Sequence, residues 1–315
     1  MLDLIIIGGS AAGCSAAVYA ARRNLNFKMI TDNLGGEVAL SGIVGNWPGS
    51  IRVQGFELAQ QFIAHIKHYN VDVEEGWRVE KIEPIKKHFL VSAKNAVGET
   101  KIHETKSIII ATGIHPRMLN IDGEKEFRNK GVTYCTVCDG PLFKGKITTT
   151  IGSGNAALES AYTMSKIADK VYLLSKYANT PKNNYGFPPA ENILIERVSK
   201  LPNVNILYGA KATEIIGQNS VTGLKYKDEG GTKKTISTDA IMIHIGQLPN
   251  STLIDIVEKN KIGEIIVDKK CQSSFAGIFS AGDVTDTPFK QIGVATGQGI
   301  TASLAAIEYL NRWHE

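Results

Sequence analysis

The sequence predicts an α/β fold of two Rossmann-like, three-layer ββα dinucleotide-binding domains, with the second inserted in the first. Two glycine turns carry this prediction, because each follows a short apolar strand and precedes a helical run. They begin at Gly8 and Gly152, which lie 144 positions apart. A third observation is a late strand, Ile278 to Asp283, that ends in Gly-Asp. We therefore expect a discontinuous domain, 1–114 with 246–315, and an inserted domain, 115–245.

Length and composition agree with two ordinary globular domains. The chain has 315 residues and a net charge of +4, and it holds no Lys/Arg cluster with interleaved aromatic residues, which argues against nucleic acid as a partner. No apolar run reaches about 18 residues, so we expect no membrane span. The apolar start, Leu2 to Ile7, runs directly into glycines and predicts a strand, not a signal peptide. We expect a cytoplasmic protein.

The first glycine turn has the features of a phosphate-binding site. The strand Leu4 to Ile7 feeds Gly8-Gly9-Ser10-Ala11-Ala12-Gly13, and a helical run, Cys14 to Arg23, follows. Such a turn lets the backbone approach a pyrophosphate, which the free N–H groups of the helix then bind. A second strand, Phe27 to Thr31, ends at Asp32, where an acid can accept the ribose hydroxyls.

The next segments connect this first unit to the inserted one. Irregular loops are predicted at Gly35-Gly36-Glu37 and at Asn46 to Gly49. They either pack on a flat ring system or serve only as connections between regular elements. Helical spacing covers Phe56 to Tyr69, and short alternating runs from Val71 to Ile102 predict antiparallel strands. Another strand, Ile108 to Gly113, precedes His115-Pro116, whose extended backbone indicates a domain crossing.

The second glycine turn repeats the first in the same context. Ile147 to Ile151 enters Gly152-Ser153-Gly154-Asn155-Ala156-Ala157, and a helix is predicted from Leu158 to about Ile167. The offset of 144 sets Lys176 against Asp32, so the charge at the ribose position is reversed. A second meander, Val204 to Ile236, and a strand, Ile241 to Ile245, complete the inserted domain.

The late strand and the helix after it predict the flavin end of the site. An acid such as Asp283 at a strand end can bind the ribityl chain of a flavin. The helix predicted from Gln291 to Leu310 can direct its first amides at the N1/O2 edge of the ring, where negative charge develops on reduction.

The segment Cys135-Thr136-Val137-Cys138-Asp139-Gly140 indicates a redox-active dithiol. Two cysteines at this spacing can close a small disulfide ring, and one thiol of such a pair is activated as a nucleophile. The same spacing also occurs as half of a zinc site. Zinc would need two more ligands, but Cys14 and Cys271 are far apart and no His-x₃₋₅-His follows, so we predict no metal.

Taken together, these motifs resemble the low-molecular-weight thioredoxin reductase family over the whole chain. In family order they are G-G-S-A-A-G, G-G-E, N-W-P-G, A-T-G, C-T-V-C-D-G, G-S-G-N-A-A, I-G-Q-L-P-N at 245–250 and A-G-D-V. The resemblance implies FAD in the discontinuous domain, the disulfide in the smaller inserted domain, and a homodimer. It also implies that the inserted domain rotates about its two linkers, so that the dithiol meets first the flavin and then a thioredoxin-like protein.

The resemblance also assigns roles to residues. Cys138 is expected to be the flavin-proximal thiol, Cys135 the thiol that attacks the partner's disulfide, and Asp139 the acid/base. The expected FAD contacts are Gly8, Gly9, Ser10, Ala11, Ala12, Thr31, Asp32, Gly36, Glu37, Asn46, Val79, Ala111, Thr112, Gly113, Gly282, Asp283, Gln291 and Ile292.

The chain departs from this family where NADPH should bind. NADPH-using members carry a His-Arg-Arg-x-x-x-Arg run after the second-domain strand, whereas here Ser175 to Pro189 holds no arginine. We therefore predict against NADPH and expect the donor to be either a protein such as ferredoxin or a second flavin nucleotide, in resemblance to the pyridine-nucleotide-independent branch of the family. The turn is either vestigial or holds a second FAD or another adenine nucleotide through Gly152, Gly154, Asn155, Ala156 and Lys176. NAD(P)H use with an atypical pocket and a flavin-bound redox sensor are the alternatives.

The last residues offer one more candidate contact. Trp313 and His314 follow the predicted flavin-contacting helix. They either form a solvated chain end or cover the isoalloxazine ring of their own chain or of a neighbour in the homodimer. We expect the second.

Overall fold

The computed structural model describes residues 1–313 of the chain. The chain divides into two compact units, a split unit made of Met1–His115 with Leu248–Glu315, and an inserted unit, Pro116–Gln247.

The first arm of the split unit contains nine strands and three helices among the described residues. The strands are β1 (Leu2–Gly9), β2 (Phe27–Leu34), β3 (Ile43–Val44), β4 (Val53–Gln54), β5 (Val73–Glu75), β6 (Trp77–Ile85), β7 (His88–Asn95), β8 (Thr100–Ile110) and β9 (Ile114–Pro116). The helices are α1 (Ala11–Arg22), α2 (Gly36–Leu40) and α3 (Gly55–His68).

The inserted unit follows with its own strands and helices. The strands are β10 (Val132–Thr133), β11 (Ile147–Ile151), β12 (Lys170–Leu174), β13 (Val204–Leu207), β14 (Lys211–Gly217), β15 (Val221–Lys227), β16 (Lys233–Ser237) and β17 (Ala240–Ile243). The helices are α4 (Thr136–Asp139), α5 (Asn155–Ser165) and α6 (Asn192–Ser199), with 3-10 turns at Gly140–Phe143 and Pro181–Gly186. The chain then returns to the split unit through β18 (Gln247–Pro249), β19 (Ile278–Ser280), a 3-10 turn at Gly282–Val284 and α7 (Ile292–Asn311).

The split unit is built on a seven-stranded sheet of order β5-β2-β1-β8-β7-β6, with β19 paired to β8. Strands β1, β2, β5, β8 and β19 are parallel, while β6 and β7 form an antiparallel meander on β8. One face packs against α1, α3 and α7, and the other is covered by the meander and the segment Leu253 to Val284. The carboxyl ends of the parallel strands therefore meet at one edge.

The inserted unit repeats this plan at smaller size. Its parallel sheet has the order β10-β17-β11-β12-β13, and β14, β15 and β16 form an antiparallel meander. Apolar residues on one face of the sheet pack with α5 and α6, and those on the other face pack with the meander. This is the three-layer arrangement that the duplicated glycine turns predict, so the predicted fold class is confirmed.

Three local predictions were wrong. Gly36 and Glu37 do not lie in an irregular loop but begin the short helix α2. The strand predicted from Ile108 forms only the last three residues of β8, because the segment from Lys101 to Ser107 contains no Gly or Pro that would separate it from the residues before it. Strand β2 does not stop at Thr31 but continues to Leu34.

None of the helices within residues 1–313 combines the length and the apolar content needed to cross a bilayer.

Candidate functional site

The first glycine turn is packed so closely that side chains have no room in it. Gly8 has a φ of +113°, and a Cβ there would lie 2.3 Å from the carbonyl oxygen of Ala111. A Cβ on Gly13 would lie 1.9 Å from the oxygen of Gly8. These contacts press the turn against the end of β8, as a dinucleotide-binding turn requires.

The residues after β2 are brought beside this turn. The hydroxyl of Ser10 donates to the carbonyl of Gly35 over 2.7 Å, and the N–H of Gly35 donates to the oxygen of Gly9 over 2.8 Å. A Cβ on Gly36 would lie 3.0 Å from that of Ser10. The start of α2 therefore lies against the turn, which groups Gly36 and Glu37 with Gly8 to Ala12.

The start of α1 has free backbone donors. Ser10 is its N-cap residue, makes no side-chain cap hydrogen bond, and leaves the first N–H groups of the helix open to a ligand. Asp32 is exposed beyond Thr31, whose own hydroxyl donates to the oxygen of Asn33 over 2.7 Å. Asp32 is thus free to meet a ribose, while Thr31 lies buried in the sheet.

The second arm of the split unit supplies the other wall of this site. A Cβ on Gly282 would lie 3.1 Å from that of Ala12, so the turn after β19 packs on the first glycine turn. The amide of Asn46 donates to the side-chain oxygen of Gln291 over 3.0 Å. Gln291 precedes Ile292, the first residue of α7, and makes no side-chain cap hydrogen bond to the helix. The loop after β3 and the start of α7 therefore meet.

The carboxylate of Asp283 is the most informative group in the site. Its Oδ1 is buried and has no hydrogen-bond partner among the described residues. Burial raises the pKa of Asp283 to about 6, with Lys290 opposing the rise and Glu37 adding to it. A buried acceptor without a partner is costly unless a ligand supplies a donor.

These residues fit FAD. The first glycine turn, which has no room for side chains, and the open N–H groups of α1 suit a pyrophosphate. Oδ1 of Asp283 suits a ribityl hydroxyl. Ala111, Thr112 and Gly113 continue from the end of β8. Two hydrogen bonds join Thr112 to Asn250 there. The hydroxyl of Thr112 donates to the backbone carbonyl of Asn250 over 2.7 Å, and the side-chain amide of Asn250 donates to the backbone carbonyl of Thr112 over 2.8 Å.

Two of the predicted contacts have side chains that pack elsewhere. The side chain of Val79 is 8% exposed and belongs to the apolar core of the sheet, so a contact between its backbone and the cofactor stays a prediction. The indole N–H of Trp313 donates to the carbonyl of Lys87 over 3.2 Å, and Lys106 lies 4.9 Å from the ring centroid. Lys106 pairs with Asp3 at the start of β1, which is the sheet edge opposite Gly8.

The prediction that Trp313 covers the flavin of its own chain is therefore wrong. Helix α7 begins beside the residues that fit the flavin but is 20 residues long. At 1.5 Å per residue it is about 30 Å in length, so its end lies far from its start. His314 lies outside the described residues, and a contact with a neighbour's ring stays a prediction.

The inserted unit carries the dithiol as a closed disulfide, Cys135–Cys138. Cys135 is the N-cap residue of α4, and its sulfur accepts the N–H of Cys138 over 3.2 Å. Both cysteines are partly exposed, as access by a second protein requires.

Asp139 is held beside the disulfide by a residue that the sequence analysis missed. The hydroxyl of Thr133, at the end of β10, donates to the carboxylate of Asp139 and accepts the N–H of Cys135 over 3.1 Å. Burial raises the pKa of Asp139, and the bond from Thr133 opposes that rise. Because burial disfavours the charged form, Asp139 holds a proton more readily than an exposed aspartate does, which fits an acid/base role.

The second glycine turn keeps its backbone geometry but is covered by its own chain. A Cβ on Gly152 would lie 2.2 Å from the oxygen of His244. A Cβ on Gly154 would lie 3.8 Å from the side chain of Pro189. Asn155, the first residue of α5, donates to the carboxylate of Glu191 over 3.1 Å and accepts its N–H over 2.9 Å.

The other candidates for a second nucleotide lie at the surface. Ala156 and Lys176 are exposed, and the amine of Lys176 lies 5.1 Å from the ring centroid of Tyr177. The hydroxyl of Ser175 ties this segment down by donating to the oxygen of Gly186 over 2.5 Å. The segment is therefore an ordered part of the unit.

Comparison with protein families decides the class of protein. The model of the pyridine nucleotide-disulphide oxidoreductase family matches residues 2–299. The chain belongs to this family. Its structure resembles a thioredoxin reductase from Streptococcus pyogenes, with a TM-score of 0.90 and 30% identity, covering 99% of both chains. It also resembles a ferredoxin-flavin thioredoxin reductase from Clostridium acetobutylicum, with a TM-score of 0.52 and 26% identity, covering 99% of both chains.

Curated relatives agree on the family but not on one activity. The chain is 39% identical to a subunit of alkyl hydroperoxide reductase from Staphylococcus aureus, over 98% of its own length and 59% of that protein. It is 37% identical to a protein named NADH dehydrogenase from Bacillus subtilis, again over 98% of this chain and 59% of that protein. The chain thus spans just under three fifths of these relatives.

The resemblance to thioredoxin reductases and the enzyme class are confirmed. The chain has the family and the fold of flavoprotein disulfide oxidoreductases of the thioredoxin reductase type, and membership of the family implies FAD as its cofactor.

Proposed function

We propose that this enzyme passes two electrons from FAD through Cys138 and Cys135 to the disulfide of a thioredoxin-like protein, and that its electron donor is not NADPH. The observation that carries the proposal is the partly exposed Cys135–Cys138 disulfide with the half-buried Asp139 beside it. A partner's disulfide can be reduced only by a dithiol that it can reach, and this pair meets that condition.

FAD, once bound and reduced by the donor, would supply the two electrons that open the Cys135–Cys138 disulfide. The thiolate of Cys135 then attacks one sulfur of the partner's disulfide, forming a mixed disulfide and releasing the other sulfur as a thiolate. Asp139 donates the proton that this leaving sulfur needs. Cys138 attacks Cys135, which restores the internal disulfide and releases the reduced partner.

The case against NADPH rests on the second glycine turn. The carboxylate of Glu191 bonds Asn155 at the start of α5, where a pyrophosphate would place its negative charge. The 2′-phosphate of NADPH would in addition need an arginine fork, but the sequence holds no arginine between Arg128 and Arg197. Lys176 is a single flexible charge and a poor substitute.

A protein donor fits this arrangement better. The solved relative from Clostridium acetobutylicum is titled a ferredoxin-flavin thioredoxin reductase, and this supports a ferredoxin-like donor for the present chain. The second turn is then either vestigial or occupied by a second FAD or another adenine nucleotide. Two tightly bound FAD per chain would decide for occupation.

One observation favours NADH as a second candidate donor. A relative 37% identical over 98% of this chain is named NADH dehydrogenase. NADH carries no 2′-phosphate, so the missing arginines would not exclude it. The carboxylate of Glu191 would still have to move away from the helix start.

Anaerobic titration of the purified flavoprotein tests the donor. We expect reduced ferredoxin to bleach the flavin stoichiometrically, and NADPH and NADH to bleach it slowly or not at all. Glu191→Gln removes the carboxylate at the second turn and should raise the rate with NADH severalfold. Glu196→Gln is the matched control, since the exposed side chain of Glu196 pairs with Lys200 on its own helix, α6. Fast bleaching of the unaltered enzyme by micromolar NADPH would overturn the proposal.

The remaining assignments stay predictions. They are the homodimer, the cytoplasmic location, and the division of labour in which the split unit binds FAD and the inserted unit carries the dithiol. Steady turnover with thioredoxin would exclude a sensor that binds flavin without catalysis.

A further inference from the structure

The side chain of Thr136, between the two cysteines, is anchored beneath the disulfide. Its hydroxyl oxygen lies 2.6 Å from that of Ser160 on α5 and 2.8 Å from Nε2 of His244, just after β17. Ser160 in turn lies 3.3 Å from the hydroxyl of Thr150 on β11. Hydrogen bonds thus tie α4 to α5, to the segment just after β17 and, through Ser160, to β11.

His244 is well placed to hold this position. Its N–H donates to the carbonyl of Ile151 over 2.8 Å, so its main chain is fixed by the central strand of the sheet. Burial lowers the pKa of His244 to about 4, which keeps the imidazole neutral at physiological pH. A neutral ring has one donor and one acceptor and can bond a hydroxyl without bringing charge into the core.

The anchored residue sets the direction of an N–H group that matters for chemistry. The N–H of Cys138 donates to the sulfur of Cys135 over 3.2 Å within the disulfide-bonded turn. When the disulfide is reduced, negative charge on that sulfur is stabilised by such a donor. The donor keeps its direction only if the turn between the cysteines keeps its conformation, and Thr136 is the first residue of that turn.

We propose that His244 is a positioning residue for the dithiol: with Ser160 it holds Thr136, and so keeps the N–H of Cys138 on the sulfur of Cys135 after reduction. The reduced enzyme then carries more Cys135 as thiolate. The inference rests on the proposed function, in which Cys135 is the thiol that attacks the partner's disulfide.

The groups that could alter the titration of Cys135 within the inserted unit are few. Asp139 is the last residue of α4, the helix that Cys135 caps. His244 contacts Thr136 of the same helix from the segment after β17. The part of α5 that packs beneath α4 presents Ser160 and Met164, with Ile167 just beyond its end. None of these three side chains carries a charge. Because His244 stays neutral above a pH of about 4, its own titration does not contribute to the pH dependence near neutrality.

Alkylation of Cys135 by iodoacetamide tests the inference. In the full-length, FAD-loaded Cys138→Ala protein the backbone N–H at 138 remains and Cys135 is free. Its thiolate displaces iodide as the new C–S bond forms, so the rate across pH reports the thiolate fraction. Burial raises the pKa of Cys14 to about 12 and that of Cys271 to about 11, and their peptides are separated by mass.

We expect His244→Leu and Thr136→Val each to move the midpoint of the pH–rate profile up by about half to one unit. The rate near neutral pH should fall about threefold to tenfold accordingly. His244→Gln, which keeps a nitrogen near the position of Nε2, should restore most of the wild-type profile. Thr213→Val is the matched control, because the hydroxyl of Thr213 is exposed and donates to the carbonyl of Lys225 within the meander.

An unchanged midpoint in folded His244→Leu protein would overturn the inference, even if that variant were less stable. If His244→Leu does not fold, Thr136→Val decides in the same way. A shift in Thr136→Val alone, with His244→Leu as in wild type, would assign the anchoring to Ser160 and remove His244. Loss of the proposed function looks different: the wild-type enzyme would then fail to reduce thioredoxin while the midpoint still moved.

Discussion

Replacing Asp283 with asparagine should stabilise the flavin-free protein above pH of about 6 and weaken its binding of FAD. The carboxylate is buried, its Oδ1 has no partner, and burial raises its pKa from 3.8 to about 6. Lys290 and Glu37 are the charged groups that act on it, in opposite directions. Asparagine has a similar shape and no charge to bury.

The pKa of Asp283 gives the size of the effect. A rise of about two units corresponds to about 3 kcal/mol. Because the folded-state pKa lies above the unfolded value, this contribution to stability is present below pH 3.8 and is lost as the pH rises through about 6. The gain of the asparagine variant over wild type should therefore be near zero at about pH 4 and approach about 3 kcal/mol above pH 7.

FAD binding should change in the opposite direction. A ribityl hydroxyl that donates to a carboxylate makes a charge-assisted hydrogen bond, and its weakening to a neutral one should raise the Kd for FAD about tenfold. Urea unfolding of the flavin-free protein across pH gives the first quantity, and quenching of FAD fluorescence gives the second.

Asp255→Asn is the matched control, since the side chain of Asp255 is 97% exposed. Its ion pair with Lys259 is long, at 3.7 Å, so losing the charge should cost little. It should leave both quantities within error of wild type. If Asp283→Asn unfolds at the wild-type urea concentration at pH 8 and binds FAD as tightly, Asp283 does not face the ribityl chain and the flavin site is misassigned.

The remaining predictions concern the dithiol and the first glycine turn. Cys138→Ser should keep its FAD but lose thioredoxin reduction, measured as thioredoxin thiols formed, and unchanged turnover would remove the dithiol from the mechanism. Cys135→Ser should leave Cys138 as a thiolate beside oxidised flavin and produce a long-wavelength charge-transfer band; a wild-type spectrum at every pH would mean that the two cysteine roles are reversed. Gly13→Ala should abolish FAD binding, because the new Cβ would lie 1.9 Å from the oxygen of Gly8; a variant that purifies with a full complement of FAD would contradict this packing.

Much of the fold could be predicted from local patterns, because each glycine turn has its strand before it and its helix after it. Those signals depend on neighbours in sequence. The errors arose where distant parts of the chain decide the outcome. Gly36, the first residue of α2, packs against Ser10 in the first glycine turn, a contact between residues far apart in sequence. Val79 is buried because β6 packs as part of a larger sheet.

The site was predicted in part for the same reason. Cys135, Cys138 and Asp139 form one motif, so the sequence alone indicated their chemistry. Thr133 could have been suspected, since a hydroxyl two residues before the first cysteine is near enough to reach the motif. His244 and Ser160 lie far from it in sequence, and only the folding of β17 and α5 brings them to Thr136. The error over Trp313 came from the length of α7, which carries the chain end away from the flavin edge.

The most direct test of the central claim needs no assumption about the donor. The enzyme is photoreduced by two electrons under anaerobic conditions and mixed with oxidised thioredoxin, while flavin absorbance and thioredoxin thiols are followed together. The account predicts that the flavin reoxidises as one thioredoxin disulfide is converted to two thiols, and that neither change occurs in Cys138→Ser. Flavin that stays reduced in the wild-type enzyme, or that reoxidises without new thioredoxin thiols, would contradict it.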